Sequence, residues 1–265
     1  MRRSKSSYVI QTVANGLRIL EEFGGADAEL GVTELSNRLS LHKNNVFRLL
    51  ATLEQQGYVE QCAQTERYRL GPACLALGRA FTETRSLVRA ARATLAMLAE
   101  ETNESAHLGV LSGYDVVHLD GQQPAQLVAT TLRIGQNLAA HCTALGKVLL
   151  AGKSAAALAQ LDKERVRAGK LVAQTPATIT DRDKFFEHLR TVASQGWALD
   201  LEECAQGLCC VAAPVHDASG AVIAALSVSA PIFRVSEARI HDQVMPRVIA
   251  AANELSLRMG YATAH

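Results

Sequence analysis

Asn44, Asn45, Arg48 and Thr52 share one outer face if residues 43–56 form a helix, with Lys43 at its start. Asparagine can read adenine and arginine can read guanine through paired hydrogen bonds in the major groove, and Phe47, near the same face, can touch a thymine methyl group. Arg67 and Arg69 can reach phosphates, which add affinity but no direct sequence reading. Other residues suggest other chemistry. Cys142 follows His141, and the Cys209-Cys210 pair precedes His216, so a thiol nucleophile is conceivable. Neighbours on a strand point to opposite faces, which argues against a ready Cys–His pair. Gly146-Lys147 lacks both the first glycine and the Ser or Thr of a phosphate-binding loop. His141, Cys142, Cys204, Cys209, Cys210 and His216 could converge on a metal, but buried free cysteine is usually inert packing. No catalytic residue, metal ligand or cofactor is therefore assigned.

The polar face needs a scaffold, and residues 31–71 read as one: short helix, tight turn, longer helix, hairpin. That order is a winged helix-turn-helix. Thr33 is expected to cap the first helix with its hydroxyl and to belong to the DNA-binding surface, and Leu35 and Leu39 share the helix's inner face. Ser40-Leu41 makes the turn. The second helix, 43–56, stops at Gly57, a favourable left-handed position after a helix. Val46, Leu49, Leu50 and Leu53 form its buried stripe. A solvated helix face would carry the same polar residues; the hairpin decides between them, with Tyr58-Val59 and Tyr68-Arg69-Leu70 as strands and 63–66 as the wing tip. Upstream, Ile10, Val13, Leu17, Leu20 and Phe23 recur at helical spacing and should pack onto the other two helices. Arg2, Arg3 and Lys5 form a basic arm before them.

Gly71-Pro72 marks a boundary, since proline suits a first helical turn. The spacing predicts a linking helix over 72–86 and another over 87–102. Strands are expected at 107–111, 116–120, 127–132, 197–201, 209–216 and 221–230, and helices at 144–151, 155–162 and 183–195. A long helix begins near Ser236, and Pro246 should bend it or shift its start. The class is α+β. The 265 residues suffice for two domains, and the 48% hydrophobic fraction supports real cores. A formal charge of +1 requires basic residues to be concentrated locally if nucleic acid is bound. No apolar run is long enough to span a bilayer, and no signal peptide is recognised. The six cysteines lack C-x-x-C spacing, so reduced thiols in the cytoplasm are expected.

The chain resembles the isocitrate-lyase-regulator (IclR) family of bacterial transcription regulators. The resemblance rests on V-T-E-L-S-N-R-L-S-L-H-K-N-N-V-F-R-L-L-A-T-L-E-Q-Q-G-Y-V, H-C-T-A-L-G-K-V-L-L-A at 141–151, G-W-A-L-D-L-E-E-C-A-Q-G-L-C-C-V-A-A-P-V-H-D at 196–217 and G-A-V-I-A-A-L-S-V-S-A-P at 220–231. It implies a DNA-binding domain over 8–71, a linker helix over 72–86 and a GAF-like effector domain over 87–265 with a mostly antiparallel sheet. It also implies a small-molecule effector, commonly a carboxylate or aromatic acid, and double-stranded operator DNA as partners, with dimers pairing through the DNA-binding domain and linker and dimers of dimers through effector domains. Matching positions suggest the pocket: Ala144 and Leu145 at a helix start, where N–H groups hold anions; Ser227 and Ser229 on one strand face; Asp200 and Cys210 as polar positions; Leu138 and Leu208 as apolar wall; and Thr130. The chain departs from the family pattern at Leu201, which interrupts an acidic run, at Cys204, where an acidic residue is common, and at Ala230. The expected function is a cytoplasmic, ligand-responsive regulator without a membrane partner. The alternative is a metabolite-binding or Cys-dependent enzyme on the same α/β domain.

Overall fold

Residues 9–24, 29–84, 86–126, 129–165 and 171–262 are described by the computed structural model, which divides after Thr84 into two compact units. Arg2, Arg3 and Lys5 lie outside the described residues. In the first unit, α1 (Gln11–Glu22), α2 (Val32–Leu39) and α3 (Lys43–Gln55) pack around Ile19, Phe23, Leu30, Leu35, Val46 and Leu50. Ser40 takes a left-handed conformation between α2 and α3, and Gly57 (φ +74°) ends α3. The wing is β1 (Val59–Gln61) paired antiparallel with β2 (Tyr68–Leu70), and Leu30 bridges to Tyr68 on its other side. The helix α4 (Pro72–Thr84) closes the unit.

Two expectations change here. Thr33 does not cap α2. Gly31 stands at that position, and the Glu34 carboxylate accepts from Gly31 N at 2.9 Å, so the acidic side chain already satisfies the free donor. The face of α1 is also rotated from the expected one. Ile19 is fully buried, while Ile10, Val13 and Leu17 are 67%, 57% and 56% exposed. These three residues lie on one apolar stripe, but that stripe faces away from the core of its own unit.

The second unit is a six-stranded antiparallel sheet in the order β5-β4-β3-β8-β7-β6. Its strands are β3 (Ser105–Ser112), β4 (Asp115–Gln122), β5 (Asn137–Ala139), β6 (Ala198–Leu201), β7 (Leu208–His216) and β8 (Val222–Pro231). Period two sorts the side chains. Leu226 and Val228 of β8, with Cys209 and Val211 of β7, face α5 (Ser86–Thr102) and α10 (Met245–Arg258). Ala225 and Ala212 face α6 (Ala144–Ala151), and α8 (Arg182–Gln195) packs on the outside of α6. The helix α7 (Ala155–Arg165) lies between α6 and α8 in the chain. Pro246 shifts the last helix as anticipated. A short α9 (Glu237–Arg239) runs into one wide π turn, Ile240–Val244, before α10 starts afresh at Met245. Proline cannot donate to the carbonyl four residues back and would strike it, and the wider turn relieves both.

The strand expected at 127–132 is not formed over its described part. Leu127 and Val128 lie outside the described residues, and Ala129–Leu132 have no regular structure. The sheet edge belongs instead to β5, pairing with β4 through Val116 and Leu138. The carbonyl of Thr130 accepts from Ser105 Oγ and Gln123 Nε2, both at 2.9 Å, and Thr130 Oγ1 donates to Ser229 O at 3.2 Å. Side chains thus supply the partners that a strand ladder would have supplied, and the segment becomes a strap across the end of β3 and β8.

Candidate functional site

On the α6 side of the sheet, a cavity of about 290 Å³ opens where the helix leaves the strands uncovered. Thr130, Leu138, Ala144, Leu145, Asp200, Leu208, Cys210, Ser227 and Ser229 all line it. Strand register explains the gathering: Asp200 pairs with Cys210, Cys210 with Ser229, and Ser227 lies opposite His107. The start of α6 reaches the cavity because Gly146 sits almost on the 3-10 turn of Ala140–Cys142; a Cβ there would come within 2.1 Å of Ala140 O. Thr143 caps the helix by accepting from Gly146 N at 3.1 Å. The first-turn N–H groups of Ala144 and Leu145 have no intrahelical acceptor, as at any helix start.

Among the lining residues not singled out from the sequence are two histidines and an arginine: His107, His118 and Arg133. The two histidines sit on adjacent strands with ring centroids 5.1 Å apart, edge to face. Burial, with help from His118 and Arg133, lowers the His107 pKa to about 3. Burial and Arg133 lower that of His118 to about 4. Both rings are neutral near pH 7 and act as hydrogen-bonding groups. Burial pushes Asp200 up to about 6, against the backbone N–H groups of Glu203 and Cys204, which donate to its Oδ1 at 2.8 and 3.2 Å. Positive character comes from Arg133, which lines the cavity, and from the α6 start.

These shifts predict an acid response. Each histidine has a folded pKa below the unfolded value of 6.5, so its contribution is present above pH 6.5 and lost as pH falls toward 4 and 3. Asp200 is raised from 3.8, so its contribution runs the other way and is lost as pH rises through about 6. Two histidines outweigh one aspartate. We expect the melting temperature of the chain to fall between pH 7 and pH 5. His107→Gln with His118→Gln should flatten that fall, and Asp200→Asn should steepen it. A melting temperature that does not change with pH in all three proteins would contradict the assignment.

In the first unit, Lys43, Asn44, Asn45, Phe47, Arg48 and Thr52 are all exposed. They do not form one uniform patch. Asn45, Arg48 and Thr52 border a groove beside Thr12 and Asn15 of α1, whereas Phe47 borders a second groove with Thr33, Gln61 and Arg67 of the wing side. Both wing arginines have acidic partners. Arg67 Nη2 lies 2.7 Å from Glu34 Oε2 and 2.9 Å from Glu29 O, and Arg69 Nε lies 2.6 Å from Glu60 Oε1. Such solvent-screened pairs add little to stability, so a phosphate can displace them at small cost.

Residues 12–62 match the IclR helix-turn-helix domain, and residues 79–257 match the bacterial transcriptional regulator IclR C-terminal domain. The chain belongs to the IclR family. It is 34% identical over 253 residues to the HTH-type transcriptional regulator XynR of Escherichia coli, covering 96% of this chain and 98% of that one. The IclR transcriptional regulator of Alicyclobacillus acidocaldarius superposes with a TM-score of 0.85 at 25% identity, covering 96% of this chain and all of that one. An IclR homolog from Microbacterium hydrocarbonoxydans, complexed with 4-hydroxybenzoate, shares the fold at 20% identity and a TM-score of 0.77 over 94% of this chain and 98% of that one. As an IclR-family protein, the chain is a DNA-binding transcription regulator, with a winged helix followed by the family's C-terminal domain.

The thiol chemistry weighed against an IclR-type regulator does not assemble. Cys209 and Cys210 point to opposite faces of β7. Burial pushes the Cys209 thiol up to about 12, and burial with Asp200 pushes Cys210 well above the usual thiol range. His141 Nε2 bonds to Val172 O at 2.8 Å, and His216 stacks on Tyr261 with centroids 4.9 Å apart. Among the described residues, no group of three His, Cys, Asp or Glu side chains is disposed to hold a metal, and no helix is long and apolar enough to cross a membrane.

Proposed function

We propose that the chain reads a two-fold symmetric operator as a homodimer, through the outer face of α3 and the wing, and that a small carboxylate in the 290 Å³ cavity sets its affinity for that operator. The observation that carries the effector site is the convergence of Ala144, Leu145, Asp200, Cys210, Ser227 and Ser229 on one cavity beside a helix start. Dimerisation is supported by the uncovered apolar side chains of the first unit: Ile10 just before α1, Val13 and Leu17 on α1, and Leu75 and Leu77 (69% and 61% exposed) on α4. One winged helix also buries too little surface to select a site in a genome. Dimers of dimers through the effector domains form the second level of assembly. The chain works in the cytoplasm and has no catalytic role; the burial that pushes the Cys209 and Cys210 thiols up, away from the thiolate form, supports that reading.

Arg48 lies in the middle of α3, one turn after Asn44, and a base contact there is worth about 1–3 kcal/mol. We expect Arg48→Ala to weaken operator binding by that amount while binding to scrambled DNA changes little. Arg67→Ala should weaken both sequences alike and reduce the salt dependence. Titrations of operator and scrambled duplexes at several salt concentrations separate the two roles. Unchanged operator binding by folded Arg48→Ala would remove that residue from the interface.

A further inference from the structure

We propose that Cys142 and Cys204 are a peroxide-responsive thiol pair, and that the disulfide they form ties the turn after β6 to the start of α6. The proposal stands whatever the neighbouring cavity binds.

The two thiols come from different elements and meet through a side-chain hydrogen bond. Cys142 ends the 3-10 turn Ala140–Cys142, one residue before the Thr143 cap of α6. Cys204 sits in the turn between β6 and β7, where its backbone N–H donates to Asp200 Oδ1 at 3.2 Å. That turn is fixed from behind: Thr175 Oγ1 donates to Glu202 O at 2.6 Å, and Thr178 Oγ1 donates to Glu203 O at 2.7 Å. Access differs sharply within the pair. Cys204 is partly exposed and lines the cavity, so a small oxidant can reach it, whereas Cys142 is 1% exposed. The other cysteines are less well placed. Cys209 faces the opposite side of the sheet, Cys210 Sγ lies 3.1 Å from Ser229 Oγ, and Cys62 and Cys74 belong to the first unit.

The environment divides the chemistry between the two sulfurs. The hydrogen bond from Cys142 lowers the Cys204 pKa, and the charge of Arg133 works in the same direction, against burial and Asp200. The same bond, followed by burial, pushes Cys142 well above the usual thiol range. The thiolate is the nucleophile, so Cys204 reacts first. Its sulfur bonds to one oxygen of hydrogen peroxide, the O–O bond breaks, and the leaving hydroxide takes a proton to become water. Cys204 is then a sulfenic acid. The Cys142 sulfur attacks the Cys204 sulfur, the S–O bond breaks, and the hydroxyl leaves as a second water with the Cys142 proton. Two thiols are oxidised to one disulfide, and one peroxide is reduced to two waters. Cys142 needs no path to solvent, because its target lies against it. A thiol reductant reverses the step by exchange, and transient redox-sensing bonds of this kind are the ones expected in a reducing compartment. The bond replaces a weak contact with a covalent tie, so both joined segments should open less often.

Mass spectrometry of the full chain, exposed briefly to hydrogen peroxide and digested without reductant, tests the linkage. The expected product is a peptide pair joined through Cys142 and Cys204, which dithiothreitol separates. Cys204→Ser should abolish it. Cys142→Ser should stop at a sulfenic acid on Cys204, which dimedone traps. Cys62→Ser should leave the linkage unchanged. Hydrogen exchange on the reduced and oxidised parent tests the consequence. Exchange in peptides covering 140–150 and 200–208 should slow by about tenfold or more, while peptides of α2 and α3 exchange alike in both forms. Peroxide-treated Cys204→Ser should show no slowing. Both parent measurements are decisive by themselves, so a variant that fails to fold leaves nothing open. The proposal is overturned if peroxide joins Cys204 to Cys210 or to any other cysteine, if Cys204 proceeds to sulfinic acid without pairing, or if exchange in both segments is the same with and without the bond.

Discussion

Lys147→Met is expected to cost the second unit about 3–5 kcal/mol, the usual result of removing one partner from a buried ion pair. Lys147 is fully buried in α6, and its Nζ donates to Leu199 O at 2.8 Å and to Glu203 Oε1. Glu203 is 8% exposed, and its other oxygen has no partner among the described residues. Burial pushes the Glu203 carboxyl up, and Lys147 pulls it back. Without the ammonium, that carboxylate must be protonated or drawn toward water, which would disturb the turn after β6 that Asp200 also holds. Replacing both charges, as in Lys147→Met with Glu203→Leu, should recover most of the loss, because an apolar pair of similar volume often equals a buried salt bridge. Urea unfolding of the three proteins at pH 7 measures the difference. A single variant as stable as the parent would mean that the pair contributes nothing to the fold.

Lys147 shows how little a motif says about a side chain's task. Beside Gly146 it invites comparison with a phosphate-binding loop, yet it turns inward to hold the loop that walls the cavity. Period-two patterning made β7 and β8 legible, and with them the common face of Ser227 and Ser229. The histidine pair was hidden for a physical reason. His107 and His118 each sit among apolar residues on a strand, which reads as core; only the pairing of β3 with β4, including a register shift between Leu108 and Gly109, brings the rings together. The apolar spacing of Ile10, Val13 and Leu17 announced an apolar face correctly. Spacing cannot say whether that face meets its own core or another surface, and here Ile19 took the core. Residues 129–132 carry strand-forming threonines, but β3 already has β4 and β8 as neighbours and β5 occupies the place beside β4, so they stay outside the ladder.

Ser227→Ala with Ser229→Ala is expected to abolish the effector response while leaving operator binding without effector nearly intact. Ser229 Oγ lies 3.1 Å from Cys210 Sγ, and both serines are at most 7% exposed within the second unit. Neither belongs to the unit that carries α3. A hydrogen bond to a charged group is worth about 1.5–3 kcal/mol, so losing even one such contact to a carboxylate weakens effector binding by about tenfold or more. An effector moves the DNA equilibrium only through its different affinities for the DNA-bound and free conformations. At the effector concentration that gives the parent's half-maximal response, the double variant should therefore hold or release operator nearly as if no effector were present. Calorimetry with the tightest acid from a carboxylate screen, paired with operator titrations with and without that acid, gives both quantities on the same protein. Normal effector affinity in the double variant would return the serines to the core and move the site elsewhere. Lost operator binding in the absence of effector would show instead that the cavity wall shapes the DNA-bound conformation itself, and that occupancy is not the switch.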